Sequence, residues 1–213
     1  MKKTCACIFF LLLSNIAFPQ VSIRGGMGIN LISIPSLRDY LNVNYAPAGN
    51  QVAGFATAVI FSGEADIKAA ENYEVGLELA YLYNSYTFST SNGQYNLTYG
   101  ILMPTIVNYY VIEGQGYNFK FGGGLGIRFV NINETFLPTV NAYKSIGFGI
   151  LLRATGNTAL SSDFFANITG DIRYDINGEP KNAGNPLQNR ALNTNVNFNS
   201  FSLGLTLGIT YIF

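Results

Sequence analysis

A strict two-residue alternation near the end of the sequence constrains the fold more than any other feature. From Phe201 to Phe213 every odd-numbered residue is large and apolar, and serine, glycine and threonine fill most of the positions between. Side chains on a strand point alternately to two faces, whereas a helix repeats every 3.6 residues. The pattern therefore predicts a strand with one apolar face and one face of small, mostly polar side chains.

The same period recurs after residue 20 and predicts eight strands. They cover residues 21–31, 56–68, 73–83, 97–111, 117–129, 143–154, 160–176 and 201–213. No segment reaches 18 consecutive apolar residues, the length expected of a membrane-spanning helix. The sequence thus predicts an all-β protein.

The connections between these strands alternate in length. Short turns are predicted at 69–72, 113–116 and 155–158, and long polar loops at 33–55, 90–96, 131–141 and 177–195. A membrane barrel has this arrangement when its long loops lie outside the cell and its short turns face the periplasm. A sandwich has no reason to sort its loops in this way. We predict an eight-stranded antiparallel up-and-down transmembrane barrel with short periplasmic turns and long extracellular loops.

Composition decides which face of the barrel meets lipid. Charged residues make up only 11% of the chain, whereas the surface of a soluble barrel carries roughly 25–35%. The polar face instead consists mainly of glycine, serine, threonine and asparagine, which suits the narrow lumen of an eight-stranded barrel. A soluble secreted binding barrel or a sandwich remains the alternative. Lys+Arg and Asp+Glu both number 12, so binding of nucleic acid by phosphate neutralisation is not expected.

Aromatic residues at the strand ends are expected to form two belts at the membrane interfaces. The predicted periplasmic belt consists of Tyr73, Tyr109, Tyr117, Tyr211 and Phe213. The predicted outer belt consists of Tyr83, Tyr99, Phe129, Tyr174 and Phe201. In the fourth strand, the side chains expected to face lipid are those of Tyr99, Ile101, Met103 and Val107. Pro104 lies within this strand and lacks an N–H donor, so a local bulge is expected there.

The first twenty residues are typical of a secretory signal peptide. Lys2 and Lys3 precede the apolar stretch Ile8–Leu13, and Pro19 and Gln20 end it. We predict a signal peptide at 1–20 and a mature barrel domain at 21–213. Both cysteines lie within the predicted signal peptide, so the mature chain is expected to have no disulfide and no thiol chemistry.

The last strand, from Leu203 to an aromatic residue at Phe213, resembles that of small bacterial outer-membrane barrels of the OmpA transmembrane-domain and OmpX type. Ile101–Tyr110 is also similar to the fourth strand of barrels common in the Bacteroidetes. The resemblance implies location in the bacterial outer membrane, contact with its lipid and lipopolysaccharide, and recognition by the barrel-assembly machinery. The assembly signal that it implies consists of Leu205, Leu207, Ile209, Tyr211 and Phe213.

The strand alternation assigns ten charged side chains to the lumen. They are Arg24, Glu64, Asp66, Glu74, Glu78, Lys120, Arg128, Arg153, Asp171 and Arg173. Across the predicted 69–72 turn, Glu64 is expected opposite Glu78, and Asp66 opposite Glu74. Four buried carboxylates require basic partners, so we expect a network of ion pairs. This network would either close the lumen or line a path for ions or protons, and the narrowness of the barrel favours closure.

Missing residue types argue against catalysis. The chain contains no histidine, which excludes a Ser-His pair, a histidine base and a histidine-ligated metal. The glycine runs Gly25–Gly28 and Gly122–Gly126 fall within predicted strands and lack the spacing of a phosphate-binding loop. We therefore predict a protein that is not an enzyme and has no catalytic residues, cofactor or metal.

The long loops are the expected functional surface. Leu37, Tyr40 and Leu41 have helical spacing and are expected to form a short amphipathic helix across the barrel mouth, whereas residues 177–195 are expected to be mobile. We predict a protein that supports envelope integrity and makes surface contacts or adheres to an extracellular partner through these loops. The alternative is a small porin or transporter for hydrophobic or ionic solutes.

Overall fold

The computed structural model describes residues 20–47, 49–90, 93–136 and 138–213. Apart from Gln20, the predicted signal peptide lies outside the described residues. The main elements are β1 (Val21–Ser33), α1 (Pro35–Asn44), β2 (Ala56–Ala70), β3 (Tyr73–Thr90), β4 (Gly93–Gly114), β5 (Tyr117–Phe136), β6 (Thr139–Ala159), β7 (Phe164–Ile176) and β8 (Ser200–Ile212). In these residues no helix is long and apolar enough to cross a membrane.

The eight long strands form a closed antiparallel ring. Each pairs with its neighbours in the chain, and β1 pairs with β8 from Ser22–Ile212 to Ser33–Phe201. Closure gives each strand a neighbour on both sides within the ring, whereas hairpin extensions such as residues 84–90 of β3 pair on one side. The prediction of an eight-stranded antiparallel up-and-down barrel is therefore confirmed.

The outer surface of this ring is a continuous apolar band. On β8, for example, Leu207 is 61% exposed whereas the neighbouring Thr206 points inward and is 5% exposed. The predicted faces are confirmed in the same way for β1, β2, β3, β5, β6 and β7. A surface of this kind is stable against hydrocarbon and not against water.

Strand β4 has the opposite orientation from the predicted one. Four side chains that we expected to face lipid are instead buried inside the barrel. They are those of Tyr99, Ile101, Met103 and Val107. Leu102, Ile106 and Tyr110 point outward instead. Both faces of β4 carry large apolar residues, so the alternation alone could not distinguish them.

This orientation also changes the aromatic belts. Tyr99 and Tyr109, which we assigned to the belts, are each 1% exposed and lie inside. Tyr110 takes an outward position at the short-turn end of the barrel, where its ring lies 5.6 Å from that of Tyr73.

The bulge expected at Pro104 is absent. Pro104 lies opposite Leu79 of β3 in an unbroken register. Between β4 and β5 the pairing stops after Leu102–Phe129 and resumes at Thr105–Gly126 without a shift. The missing N–H of proline thus interrupts the ladder without adding a residue to it.

Two of the predicted long loops are strands, and one predicted turn is misplaced. Residues 90–96 and 131–141 largely extend the hairpins β3–β4 and β5–β6 beyond the apolar band. Likewise, residues 155–158 belong to β6, and the turn lies at 160–163. These segments are polar because the strands extend beyond the apolar band into water. A polar composition therefore does not distinguish such strands from loops. The short turns at 69–72 and 113–116 are confirmed. Next to the first turn, the register between β2 and β3 shifts by one residue between Lys68 and Ala70.

At the loop end the barrel is filled by an apolar cluster. The predicted helix is confirmed as α1, with Leu37, Tyr40 and Leu41 buried in this cluster. Residues 177–195, which we expected to be a mobile loop, contain regular structure. They form two short antiparallel ladders, 181–182 with 185–186 and 188–189 with 194–195, and Leu187 packs into the cluster.

The orientation of β4 predicts different effects of arginine along its outward face. Ile106 is 66% exposed within the apolar band, so Ile106→Arg should destabilise the folded protein in lipid by about 2–4 kcal/mol. Ile112→Arg, on the same face near the short-turn end, should cost only about 0–1 kcal/mol. Urea unfolding of the protein in lipid vesicles measures both, and equal losses at the two positions would contradict the assignment.

Candidate functional site in the barrel lumen

The ten charged side chains assigned to the lumen all lie inside the ring. Nine of them are at least nine-tenths buried, and the side chain of Glu74 is 14% exposed. They come from β1, β2, β3, β5, β6 and β7. The closed ring thus brings together residues up to about 150 positions apart in the chain, such as Arg24 and Arg173.

Arg153 of β6 is the centre of the network. Its guanidinium donates to Glu64 Oε2 at 2.6 Å, to Asp171 Oδ1 at 2.6 Å, and also to Glu78 Oε1. Arg173 of β7 donates to Glu78 Oε1 and to Asp171 Oδ2, each at 3.0 Å. Two guanidinium groups and three carboxylates therefore share a single buried cluster.

Glu64 connects this cluster to β1 and β4. Arg24 Nη2 donates to Glu64 Oε2 at 2.7 Å, and the Tyr109 hydroxyl lies 3.0 Å from both carboxylate oxygens. Arg24 also donates to Thr155 Oγ1 at 2.9 Å and to Thr169 Oγ1 at 3.2 Å. Each oxygen of this buried carboxylate therefore has a donor, which its charged form requires.

A second group lies nearer the short-turn end. Lys120 Nζ binds Asp66 Oδ2 at 3.1 Å and also Glu74. Glu64 lies opposite Glu78, as expected, but Asp66 lies opposite Gly76, and Lys68 opposite Glu74. The expected pairing of Asp66 with Glu74 is therefore wrong by two residues, because an antiparallel register that places Glu64 opposite Glu78 also places Asp66 opposite Gly76.

A separate ion pair, between Arg128 and Asp175, lies toward the loop end. Arg128 Nε donates to Asp175 Oδ1 at 2.5 Å, and Arg128 Nη1 donates to Thr105 Oγ1 at 3.1 Å. The next inward residues toward the loop end are Met103 and Val130, both in the apolar cluster. The interior therefore changes from ion pairs to hydrocarbon immediately beyond this pair.

Sequence reasoning missed Asp175 and Tyr109. Asp175 continues the inward series Asp171 and Arg173 on β7, so the period of two was sufficient to find it. Tyr109 had no such signal, because its inward orientation follows only from the register of β4 with its neighbours. Six carboxylates, including Asp175, face five basic side chains in these contacts.

This arrangement can hold the strands of the barrel wall together. Among the described residues it leaves few charged groups available to react with a substrate. Each basic group already binds at least one carboxylate, and the charged atoms are almost completely buried. No group of three or more acidic, histidine or cysteine side chains suited to holding a metal ion occurs among the described residues. The geometry is that of a filled lumen.

Solved structures decide the fold family. The attachment invasion locus protein Ail of Yersinia pestis, solved with the heparin analogue sucrose octasulfate, superimposes with a TM-score of 0.55 at 10% identity, over 92% of this chain and 99% of that one. The chain has the fold of the small bacterial outer-membrane β-barrels. No family model and no curated protein sequence matches this chain.

Two further structures are more distant. Neisserial surface protein A matches with a TM-score of 0.48 at 14% identity, over 91% of this chain and 97% of that one. The outer-membrane protease OmpT of Escherichia coli matches with a TM-score of 0.43 at 9% identity, over 93% of this chain and 98% of that one. Neither structure adds to the fold assignment.

The central cluster predicts a large cost for removing its shared base. Arg153→Met leaves three buried carboxylates without their common partner, and this change should lower the free energy of unfolding by about 3–5 kcal/mol. Lys68→Met removes the partner of Glu113 in a pair whose two side chains are 27% and 54% exposed, and should cost at most about 1 kcal/mol. Urea titration in detergent compares the two variants, and similar small losses would contradict the cluster.

Proposed function

We propose that the protein is a non-enzymatic outer-membrane barrel whose lumen is closed, and that it supports the envelope and makes surface contacts through its loop end. The observation that carries this proposal is the filled interior. Ion pairs around Arg153 and Arg128 occupy one part of the lumen, and an apolar cluster that includes α1 occupies the rest toward the loop end.

The outward apolar band supports location in the outer membrane. Large apolar side chains such as Ile146 and Leu125 are 72% and 65% exposed, an arrangement that suits hydrocarbon. The terminal residues Leu205, Leu207, Ile209, Tyr211 and Phe213 are proposed as the signal for the barrel-assembly machinery. Lipid and lipopolysaccharide are the proposed partners of the band.

The residue types of the chain support a role without catalysis. There is no histidine, so the common general base is missing. The buried carboxylates of the lumen are engaged with arginine and lysine, and the apolar cluster lies between them and the loop end. Among the described residues, the apolar cluster thus separates these carboxylates from the loop end.

Conductance in planar bilayers tests the closed lumen. The wild-type protein should give no steady channels, because the ion pairs and the apolar cluster leave no continuous aqueous path. Steady openings that vanish in Glu78→Ala or Arg128→Ala would instead show that the lumen is an ion path. Glu113→Ala changes an exposed carboxylate of the β4–β5 turn and is the matched control.

Cell fractionation tests the location. The mature protein should separate with the outer membrane and migrate differently on gels before and after boiling, since a closed barrel resists detergent without heat. A mature chain that stays soluble without detergent would contradict the proposal and favour a secreted barrel.

A further inference from the structure

A cavity of about 780 Å³ opens at the loop end, outside the network of the lumen. Its walls come from the C-terminal part of α1 and the residue after it, from the β5–β6 hairpin, and from residues 182–190. This volume lies within the range of roughly 300–1,000 Å³ that is usual for ligand sites. Three separate segments thus converge on one concave surface.

A buried carboxylate lies in the wall of this cavity. Glu134 is 7% exposed, and its Oε1 accepts hydrogen bonds from the hydroxyls of Tyr95, at 2.9 Å, and Tyr40. Both of these hydrogen bonds end on Oε1, and the hydroxyls of Tyr45 and Tyr143 also lie near the carboxylate, which can accept about four hydrogen bonds in all. The carboxylate is therefore held in place by two tyrosines and retains an acceptor for a ligand.

Aromatic side chains surround Glu134. Tyr45 stacks on Tyr95 with ring centroids 3.5 Å apart and an angle of 12° between the planes, and Tyr143 and Phe136 also line the cavity. Burial, and the charge of Glu134, raise the pKa of the Tyr40 hydroxyl, and burial raises the pKa of Tyr45. Both hydroxyls thus stay protonated and neutral at physiological pH.

The charges and amides of the lining indicate the class of ligand. Arg190, which is exposed, adds one positive charge to the one negative charge of Glu134, and among the described residues no other charged side chain lines the cavity. The amides of Asn141, Asn182, Asn185 and Gln188 complete the polar wall. An anion would meet Glu134 and a cation would meet Arg190, whereas a neutral ligand can use both groups.

We propose that this cavity binds a short neutral oligosaccharide. Ring hydroxyls would donate to Glu134 Oε2 and to the amide oxygens, and accept from Arg190 and the amide nitrogens, while the apolar faces of sugar rings would pack on the tyrosines. The inference rests on the proposed function only in requiring that the loop end faces the outside of the cell.

An array of immobilised oligosaccharides tests the proposal, with detergent-solubilised protein that has first been shown to be folded by its migration before boiling. One arm holds neutral eukaryotic cell-surface glycans, a second holds neutral fragments of bacterial surface polysaccharide, and control arms hold sucrose octasulfate and choline. We expect binding to a subset of the neutral saccharides, and the arm that binds identifies the source. Binding confined to sucrose octasulfate or choline, or no binding at all, would overturn the proposal.

Titration calorimetry of the variants with the bound array saccharide then locates the site. Glu134→Gln and Arg190→Gln should each weaken binding by about tenfold or more, because each removes a charged hydrogen-bonding group. The controls are Glu179→Gln and Arg38→Gln, which change exposed side chains at the same end of the barrel but outside the cavity. Equal losses in the control variants would place binding elsewhere. Loop-dependent adhesion of whole cells without saccharide binding would leave the proposed function standing while this inference fell.

Discussion

The small circumference of an eight-stranded ring determines the rest of this structure. Eight strands enclose a space that side chains just fill, so each long inward residue needs small neighbours. Gly149 shows the constraint directly, since a Cβ there would collide with the ion pair between Arg128 and Asp175. The inward glycines and the tightly packed ion pairs are therefore consequences of one dimension, the circumference of the ring.

The chain fills this space in two chemically different ways. Around Arg153 the interior is ionic, and each buried charge has a partner on another strand. Beyond Met103 and Val130 it is hydrocarbon, into which α1 inserts Leu37 and Leu41. Burial of charge is costly unless it is paired, whereas burial of apolar surface is favourable wherever shapes fit. The ionic part therefore demands accurate register, and the apolar part tolerates irregular segments such as residues 177–195.

The sequence was sufficient for features that depend on a local period. On β8 the inward residues from Ser200 to Thr210 are all small and polar or glycine, so only one orientation is consistent with an apolar exterior. On β4 both faces are apolar, and the orientation depends on the register with β3 and β5, which no local pattern contains. The residues of the lumen and of the cavity divide in the same way, into those predictable from a local period and those that depend on distant segments. The ten charged residues could be assigned from their own strands, whereas Tyr109 and the cavity around Glu134 required segments far apart in the chain. The polar ends of hairpins have the composition of loops. For this reason the sequence predicts loops at 90–96 and 131–141, where the structure has mostly strands.

The pairing of the first strand with the last has a consequence for the timing of folding. Ser22 and Ile212 are 190 positions apart, yet they are neighbours in the closed sheet. During synthesis, β1 therefore emerges from the ribosome long before its partner exists, and contacts of such large sequence separation form slowly. Until β8 arrives, two unpaired edges remain available to other chains. The yield of folded protein therefore depends on how many unfinished chains are present together, as well as on the stability of the finished ring.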